Sequence, residues 1–336
     1  MSNTRDVNWA IVGTGDIVRK RAGAAIADQP HSRIYACVTS PRVEAHREII
    51  EKLAPEKVYT DLNEALADNQ IDAVYVATPV DLHAAQAIAA MEAGKDVLLE
   101  KPMASTLDEA QRIQRVAEKT GQRFAVAYFR RHWERFQLVA DAIQQGVLGQ
   151  LVAVNVAVQT WYRLPKGTPG SWRSDRSRSG GGVLSDVGCH KLDLLAWWFG
   201  LPKRVVARVA TRTHDFDVED SAAILMTLAD GTPVTATLNW NSKSWADEIH
   251  IIGTEGRLTI RPCDGDEFEI TRGRESERRT IPPPANFHGP LVDDFARAIV
   301  AGRPPRFGAD DGLNANRLLD AIFRSSERDA WVEVEQ

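Results

Sequence analysis

The chain has 336 residues, of which 43% are hydrophobic and 26% are charged, and its formal net charge is −5. This length predicts two domains, and the charge gives no reason to expect a nucleic acid or an anionic membrane as a partner. No apolar run approaches the roughly 18 residues that suggest a transmembrane helix. The polar N-terminal residues lack the pattern of a signal peptide. We therefore expect a cytoplasmic protein.

The three cysteines, Cys37, Cys189 and Cys263, are widely spaced and form no CxxC pair. This spacing predicts neither a disulfide framework nor a zinc-ribbon site. We expect buried, reduced thiols and no metal.

Short apolar runs alternate with helical patterns in the first third of the chain. The predicted strands cover 7–12, 33–38, 71–77, 96–99 and 124–128, and the predicted helices cover 17–27, 41–53, 81–93 and 107–120. This alternation predicts an α/β Rossmann domain, with a doubly wound parallel sheet and helices on both faces, over residues 1–127.

The pattern changes after residue 128. A helix over 131–145, a strand over 151–160 and a loop over 161–182 precede a helix over 183–199, and closely spaced strand-like runs follow between 203 and 272. A linker at 282–290 leads to helices near 291–301 and 309–326. We predict an α+β domain over 128–336 with a largely antiparallel sheet. If helices cover only one face of this sheet, the open face is a candidate subunit interface.

A glycine-rich turn follows the first predicted strand and opens a helix. Gly13 and Gly15 allow backbone amides to approach a pyrophosphate, and Asp16 and Ile17 begin the helix whose N-terminus favours negative charge. The match to G-x-G-x-x-G/A is incomplete, because Val18 stands where a small residue is expected. The alternative is an ordinary strand-to-helix turn.

The end of the second predicted strand bears on the choice of cofactor. NAD sites usually present Asp or Glu there to the ribose 2′-hydroxyl, but no carboxylate occurs before Glu44. Ser40 and Arg42 instead suit a 2′-phosphate. We predict NADP, with NAD as the alternative if Arg42 is only a solvated side chain.

Two further strand ends carry candidate site residues. Thr78 and Pro79 follow the third predicted strand, where their backbone is expected along the cofactor's ribose. His83 contributes to this site or satisfies a helix-start hydrogen bond. Glu100 and Lys101 end the fourth strand, and the Lys101 ammonium can donate to a substrate hydroxyl. The alternative for Lys101 is a surface lysine beside a proline.

The segment from Gly180 to Asp193 contains a candidate acid–base group. In a helix, Asp186, His190 and Asp193 are spaced i, i+4 and i+7 and share one face. A histidine with flanking carboxylates suits proton transfer near neutral pH. The alternatives are an N-cap network and a helix-face ion pair.

Arginines and aromatic residues precede this segment. Arg130 begins the second predicted domain, and Trp172 and Arg173 lie in the loop at 161–179. Such residues suit a hydroxyl-rich or acidic ligand, although a structural role is the alternative. We expect this loop to govern substrate specificity.

An ordered set of motifs now identifies a family. The set comprises VGTGDI at 12–17, ATPVDLH at 77–83, EKP at 100–102, YFRRHW at 128–133 and GGGVLSDVGCHKLD at 180–193. The chain resembles the Gfo/Idh/MocA family over nearly its whole length. The resemblance implies a Rossmann domain followed by an open-faced sheet domain, no metal, and homodimers or homotetramers formed through the open sheet face.

The resemblance also implies a reaction and the residues that carry it out. The lysine of EKP and the D-x-x-x-H pair of the family correspond here to Lys101, Asp186 and His190. His190 would exchange the hydroxyl proton of a polyol or sugar-like substrate, Lys101 would polarise that oxygen, and Asp186 would hold a neighbouring hydroxyl. The nicotinamide performs the hydride chemistry.

Two other functions are compatible with the resemblance. One is an NAD-dependent glycosidase, which would keep its cofactor through purification. The other is a non-catalytic NAD(P)-binding sensor, which has no need for the acid–base set that this chain retains.

Overall fold

The chain forms two compact units in a computed structural model that describes residues 6–163 and 170–336. The first unit comprises the chain up to Phe129 together with Pro284–Leu313, and the second comprises Arg130–Pro283 and Asn314–Gln336. The chain passes from the first unit to the second between Phe129 and Arg130. Residues 284–313 nevertheless pack with the first unit, whereas the sequence analysis assigned them to the second.

The first unit contains a six-stranded sheet with the order β3-β2-β1-β4-β5-β6. All of its strand pairs are parallel, which confirms the Rossmann prediction. Its strands are β1 Val7–Val12, β2 Ser32–Val38, β3 Lys57–Tyr59, β4 Ala73–Val76, β5 Asp96–Leu99 and β6 Phe124–Val126. Every residue of β1, β4 and β5 is buried, as expected for strands covered on both faces.

Five α-helices follow strands of this sheet. They are α1 Gly23–Ala27, α2 Arg47–Leu53, α3 Leu62–Leu66, α4 His83–Glu92 and α5 Leu107–Thr120. A π turn at Val18–Ala22 precedes α1. The helix α5 begins at a capping box formed by Thr106 and Glu109, and it ends at Gly121 in the left-handed conformation.

The second unit contains a nine-stranded sheet with the order β14-β13-β12-β11-β7-β10-β9-β8-β15. The strands are β7 Leu151–Trp161, β8 Arg204–Ala210, β9 Ser221–Thr227, β10 Pro233–Asn239, β11 Asn241–Gly253, β12 Arg257–Ile260, β13 Glu267–Arg272, β14 Glu275–Thr280 and β15 Val332–Glu333. The pair β7–β10 is parallel and the other pairs are antiparallel. This confirms the predicted second architecture.

The described residues contain five more α-helices. They are α6 Glu134–Gln144, α7 Arg176–Ser179, α8 Cys189–Phe199 and α10 Ala309–Arg328, together with α9 Gly289–Val300 of the first unit. The rings of Phe136 in α6 and Trp198 in α8 stack with centroids 6.0 Å apart. The Ser325 hydroxyl of α10 accepts a 3.0 Å hydrogen bond from the Ala207 amide of β8. In β10, Thr235 and Thr237 are exposed.

The return of the chain to the first unit has a packing reason. Phe295 of α9 is fully buried, and its ring centroid lies 5.7 Å from that of Trp9 in β1. Burying two large rings stabilises this arrangement. The segment predicted as a linker at 282–290 therefore leads into a helix that completes the core of the first unit.

Some elements were not predicted. The strand β14 is exposed along its whole length, so it lacks the alternation of apolar and polar residues that marks a half-buried strand. Pairing across to β13 holds it in place: Glu269 lies opposite Arg278, and their charged groups are 3.0 Å apart. The short elements β3, α3 and β13 were missed as well.

Within the described ranges, every helix is too short or too polar to span a bilayer. The three cysteines are buried and form no disulfide in that part of the chain. Burial raises the pKa of Cys37 to about 12.

Candidate active site

Four strand ends of the first unit lie in register. Val38, Val12, Val76 and Leu99, the last residues of β2, β1, β4 and β5, are aligned with one another across the sheet. Gly13, Ser40, Thr78 and Lys101 lie within two residues of these strand ends, so the topology places them along one carboxyl edge. Open α/β sheets bind ligands at this edge, where the strand order reverses.

The two glycines of the first turn have different roles. Gly13 has a φ of +89°, and a Cβ there would lie 2.9 Å from the Ala77 carbonyl oxygen. The fold therefore requires glycine at this position. At Gly15, which is exposed, a Cβ would meet no atom within 4 Å. This open space next to a helix start fits a pyrophosphate. Asp16 and the half-buried Ile17 come next in the chain, and Asp16 pairs with Lys20 at 3.1 Å.

Ser40 and Arg42 are exposed just beyond β2. The structure shows no ion pair of Arg42 within the described residues. The first carboxylate after the strand, Glu44, instead accepts hydrogen bonds from Arg47 at 2.9 and 2.8 Å, and the pKa of Glu44 is lowered by this bond and by the charge of Arg47. The first acidic residue after β2 is thus hydrogen-bonded to Arg47, the first residue of α2.

His83 joins two of the predicted site loops from inside. Its ring is 1% exposed, with Nδ1 2.9 Å from the Pro102 carbonyl oxygen and Nε2 3.0 Å from that of Thr78. Burial lowers its pKa. Pro79 precedes the helical turn at the start of this segment. A neutral imidazole carries one N–H, so the ring donates a hydrogen bond to one of these two carbonyl oxygens and only contacts the other.

Glu100 is the centre of a buried network. Its carboxylate accepts a 2.5 Å hydrogen bond from the Tyr75 hydroxyl and a 3.2 Å bond from the Lys101 amide, and it lies 3.3 Å from His288 Nε2. Burial would raise the pKa of Glu100, but the hydrogen bond and charge of His288, with smaller contributions from Tyr75 and Lys101, lower it to about 2. The ionised carboxylate thereby fixes the backbone that carries Lys101.

Glu219 holds the start of the segment that carries Asp186 and His190. Its buried carboxylate accepts hydrogen bonds from the amides of Gly182 at 2.7 Å and Leu184 at 3.1 Å. Burial raises the pKa of Glu219, although the backbone bonds and Arg176 oppose this effect. A Cβ on Gly182 would lie 2.0 Å from the Glu219 carbonyl oxygen, which explains the glycine.

The three residues predicted to share one helix face, Asp186, His190 and Asp193, have different surroundings. The chain forms a π turn over Leu184–Gly188 before α8 begins, which changes the angular spacing along the segment. Asp186 and His190 are half-buried. Asp193 is 1% exposed and accepts hydrogen bonds from Arg131 Nε at 2.9 and 3.0 Å. Asp193 is therefore part of a buried ion pair.

A second buried pair anchors α8 next to His190. Lys191, 2% exposed, forms an ion pair with Asp247 of β11. Burial raises the pKa of Asp247, but the charge and hydrogen bond of Lys191 have a larger effect in the opposite direction. The net result is a lowered pKa. These contacts fix the backbone on which His190 lies.

The predicted substrate residues of the second unit have distinct surroundings. Arg173 lies 3.6 Å from the Asp186 carboxylate and over the Trp172 ring at 4.7 Å, so the structure brings these three together. Arg130 is buried and donates to Asp264 at 2.9 Å, which indicates a structural role. Residues 164–169 of the specificity loop lie outside the described residues. In the described part of the chain, no cluster of three or more His, Cys, Asp and Glu side chains is arranged to hold a metal ion.

Several contributors to the site were missed from the sequence. Tyr75 lies inside a strand pattern, Glu219 lies between two strands, and His288 lies in the predicted linker. Each acts through a partner far away in the chain, so no local motif marks it.

Comparison with known proteins matches both units to one family. Residues 7–128 match the model of the oxidoreductase family with an NAD-binding Rossmann fold, and residues 136–259 match the GFO/IDH/MocA C-terminal domain.

Characterised relatives match over almost their whole length. The dTDP-3,4-didehydro-2,6-dideoxy-alpha-D-glucose 3-reductase of Actinomadura kijaniata is 27% identical, with 98% of each chain covered. The D-xylose 1-dehydrogenase (NADP(+)) 2 of Haloferax volcanii is 28% identical, with 97% of this chain and 99% of the relative covered. The crystal structure of the aldose-aldose oxidoreductase from Caulobacter crescentus, complexed with glycerol, superposes with a TM-score of 0.88 at 27% identity, covering 98% of this chain and 100% of that chain.

Proposed function

Because the chain belongs to the Gfo/Idh/MocA family of NAD(P)-dependent oxidoreductases, we propose that it transfers hydride between nicotinamide and a hydroxyl-bearing carbon of a sugar, cyclitol or diol. The observation that carries the proposal is the edge of four aligned strand ends, where the glycine turn, Ser40, Thr78 and Lys101 follow one another. Relatives named as dehydrogenases or reductases of sugars and an anhydro-sugar support the substrate class.

The proposed chemistry needs a proton acceptor and a group that polarises the reacting oxygen. The nicotinamide, when bound, accepts or supplies the hydride. We assign proton transfer to His190 and polarisation of the substrate oxygen to Lys101, and we assign Asp186 to a neighbouring hydroxyl. Arg173 lies 3.6 Å from Asp186, and a carboxylate oxygen can accept a hydrogen bond from a sugar hydroxyl.

The proposed cofactor is NADP. Ser40 and Arg42 are exposed beyond β2, and the first carboxylate after this strand, Glu44, forms an exposed ion pair with Arg47. The Haloferax volcanii relative is named as an NADP(+)-dependent enzyme. A 2′-phosphate would gain a charge-assisted hydrogen bond from Arg42, which a 2′-hydroxyl cannot match.

Titration with NADPH and NADH, followed by nicotinamide fluorescence, tests this proposal. We expect tighter binding of NADPH, and Arg42→Ala should weaken NADPH binding by about 10- to 100-fold while changing NADH binding little. Arg112→Ala, at an exposed arginine of α5, is the matched control and should change neither. A preference for NADH that is indifferent to Arg42 would overturn the cofactor assignment. Binding of neither cofactor would overturn the proposed function.

The two glycines of the turn provide a second test. Gly15→Ala should leave the free energy of unfolding within about 1 kcal/mol, because the added methyl meets no protein atom. It should weaken cofactor binding by about 10-fold or more, since the methyl would occupy space assigned to the pyrophosphate. Gly13→Ala should instead destabilise the fold by about 1–3 kcal/mol through backbone strain. Urea unfolding and cofactor titration of both variants distinguish the roles, and an unimpaired cofactor affinity in Gly15→Ala would contradict this placement of the pyrophosphate.

A homodimer or homotetramer through the open sheet face is the proposed assembly. Support comes from β9 and β10, where Ala223, Thr235 and Thr237 are exposed among the described residues. A broad sheet face without helices is well suited to pairing with a second copy.

A further inference from the structure

His46 links two parts of the proposed cofactor site. It is half-buried at the end of a short helical turn before α2. Its Nδ1 lies 2.8 Å from the Thr14 hydroxyl, and its Nε2 lies 3.0 Å from the Ser40 hydroxyl. Thr14 is buried within the glycine turn, whereas Ser40 is exposed beyond β2. One imidazole therefore joins a residue of the glycine turn to the residue assigned near the ribose 2′ position.

The chemistry of imidazole restricts what Ser40 can do. A neutral imidazole has one N–H donor and one acceptor nitrogen. If Nε2 carries the hydrogen, it donates to Ser40, and the serine hydroxyl is free to donate outward. If Nδ1 carries the hydrogen, Nε2 accepts from Ser40, and the serine presents only lone pairs. The tautomer thus decides whether Ser40 acts as a donor or as an acceptor toward a ligand.

A 2′-phosphate and a 2′-hydroxyl respond differently to this arrangement. The oxygens of an ionised phosphate accept hydrogen bonds, so they need Ser40 as a donor and hence Nε2–H on His46. In that state Nδ1 accepts a hydrogen bond from the Thr14 hydroxyl. His46, Thr14 and Ser40 can then all make their hydrogen bonds at the same time. A ribose hydroxyl both donates and accepts, and it can bond to Ser40 in either state. The hydrogen bonds of His46 to Thr14 and Ser40 therefore matter more for a ligand with a 2′-phosphate.

We propose that His46 is a positioning residue for NADP, which orients the Ser40 hydroxyl toward the 2′-phosphate and couples that position to the glycine turn through Thr14. The inference rests on the proposed preference for NADP. It adds a group that contacts neither substrate nor the reacting atoms, and it predicts that selectivity between the two cofactors depends on a side chain outside the glycine turn and the Ser40–Arg42 pair.

The test compares the ratio of NADH to NADPH dissociation constants in the wild type, His46→Ala, Ser40→Ala and the double variant. His46→Ala should weaken NADPH binding about 10-fold and NADH binding by less than about threefold. The double variant should lose less than the sum of the two single losses, because both changes act on the same Ser40 contact. Adenosine 2′,5′-bisphosphate and adenosine 5′-monophosphate, used as competitors, should reproduce the difference without the nicotinamide half.

The possible outcomes separate this inference from the cofactor assignment. Equal losses for both cofactors, or additive losses in the double variant, would overturn the role of His46. If the wild type prefers NADPH, Arg42→Ala abolishes the preference and His46→Ala retains it, only the His46 inference fails. If the wild type prefers NADH and Arg42→Ala has no effect, both fail. If His46→Ala does not fold, His46→Gln replaces it, because the glutamine amide can both donate and accept a hydrogen bond. This variant is expected to fold and to retain part of the preference for NADPH. If it loses as much affinity for NADH as for NADPH, the inference is overturned.

Discussion

Replacing His190 with asparagine is expected to lower kcat by about two to four orders of magnitude, because the variant lacks the proposed proton acceptor. Binding of the nicotinamide cofactor should stay within about threefold of the wild type, since the cofactor residues belong to the first unit. Asparagine is polar and somewhat smaller than histidine, and α8 keeps its anchors at Glu219 and Lys191. We therefore expect His190→Asn to fold.

The measurement is kcat and cofactor affinity on the same preparation. His31→Asn is a suitable control, because His31 has a φ of 61°, a backbone conformation that asparagine tolerates. This control should keep kcat within about twofold. A His190→Asn variant with nearly wild-type kcat would show that another group accepts the proton.

The second large effect concerns stability. Asp193→Asn should lower the free energy of unfolding by about 3–5 kcal/mol, because it removes the negative charge that faces the buried guanidinium of Arg131. Both partners are at most 2% exposed. The change in kcat per folded molecule should be small, because Asp193 is buried in an ion pair and lies outside the proposed acid–base set.

Urea unfolding checks this expectation against Asp293→Asn. Asp293 pairs with Arg297 one helical turn away, and both side chains are substantially exposed, so this variant should lose less than about 1 kcal/mol. If both variants lost the same small amount, the Arg131–Asp193 pair would not support the fold. A large loss of kcat in fully folded Asp193→Asn would instead indicate that Asp193 takes part in the reaction.

Local sequence patterns predicted much of the fold. The strand at Asp96–Leu99 and the helix at Leu107–Thr120 were placed correctly at both ends, because an apolar run and a capped, amphipathic helix are recorded in neighbouring residues. The strand β14 has no comparable local sequence pattern. It is charged and exposed, and only its pairing with β13 makes it a strand.

The candidate site shows the same division. Gly13, Ser40, Thr78 and Lys101 lie within two residues of strand ends, so a prediction of the sheet also predicts that they share an edge. Asp193 lies three residues after His190 in the same helix, but it is buried and bonded to Arg131, a partner that no local pattern marks.

The contacts that hold the site together could not be read from the sequence. Glu100 depends on His288, and the segment at 180–184 depends on Glu219, which are distant in the chain and carry no shared motif. His46 likewise acts through Thr14 and Ser40. In each case the fold brings together groups whose relationship is purely spatial.

The most direct test of the proposed reaction is the absorbance of reduced nicotinamide. The purified protein would be incubated with NADP and separately with each member of a panel of aldoses, cyclitols and diols, with NAD in a parallel series. The proposal predicts that at least one of these compounds produces reduced cofactor in amounts equal to the oxidised substrate, and that His190→Asn does not. If instead the protein retained bound cofactor, released no reduced nicotinamide and cleaved glycosides, the dehydrogenase assignment would be contradicted.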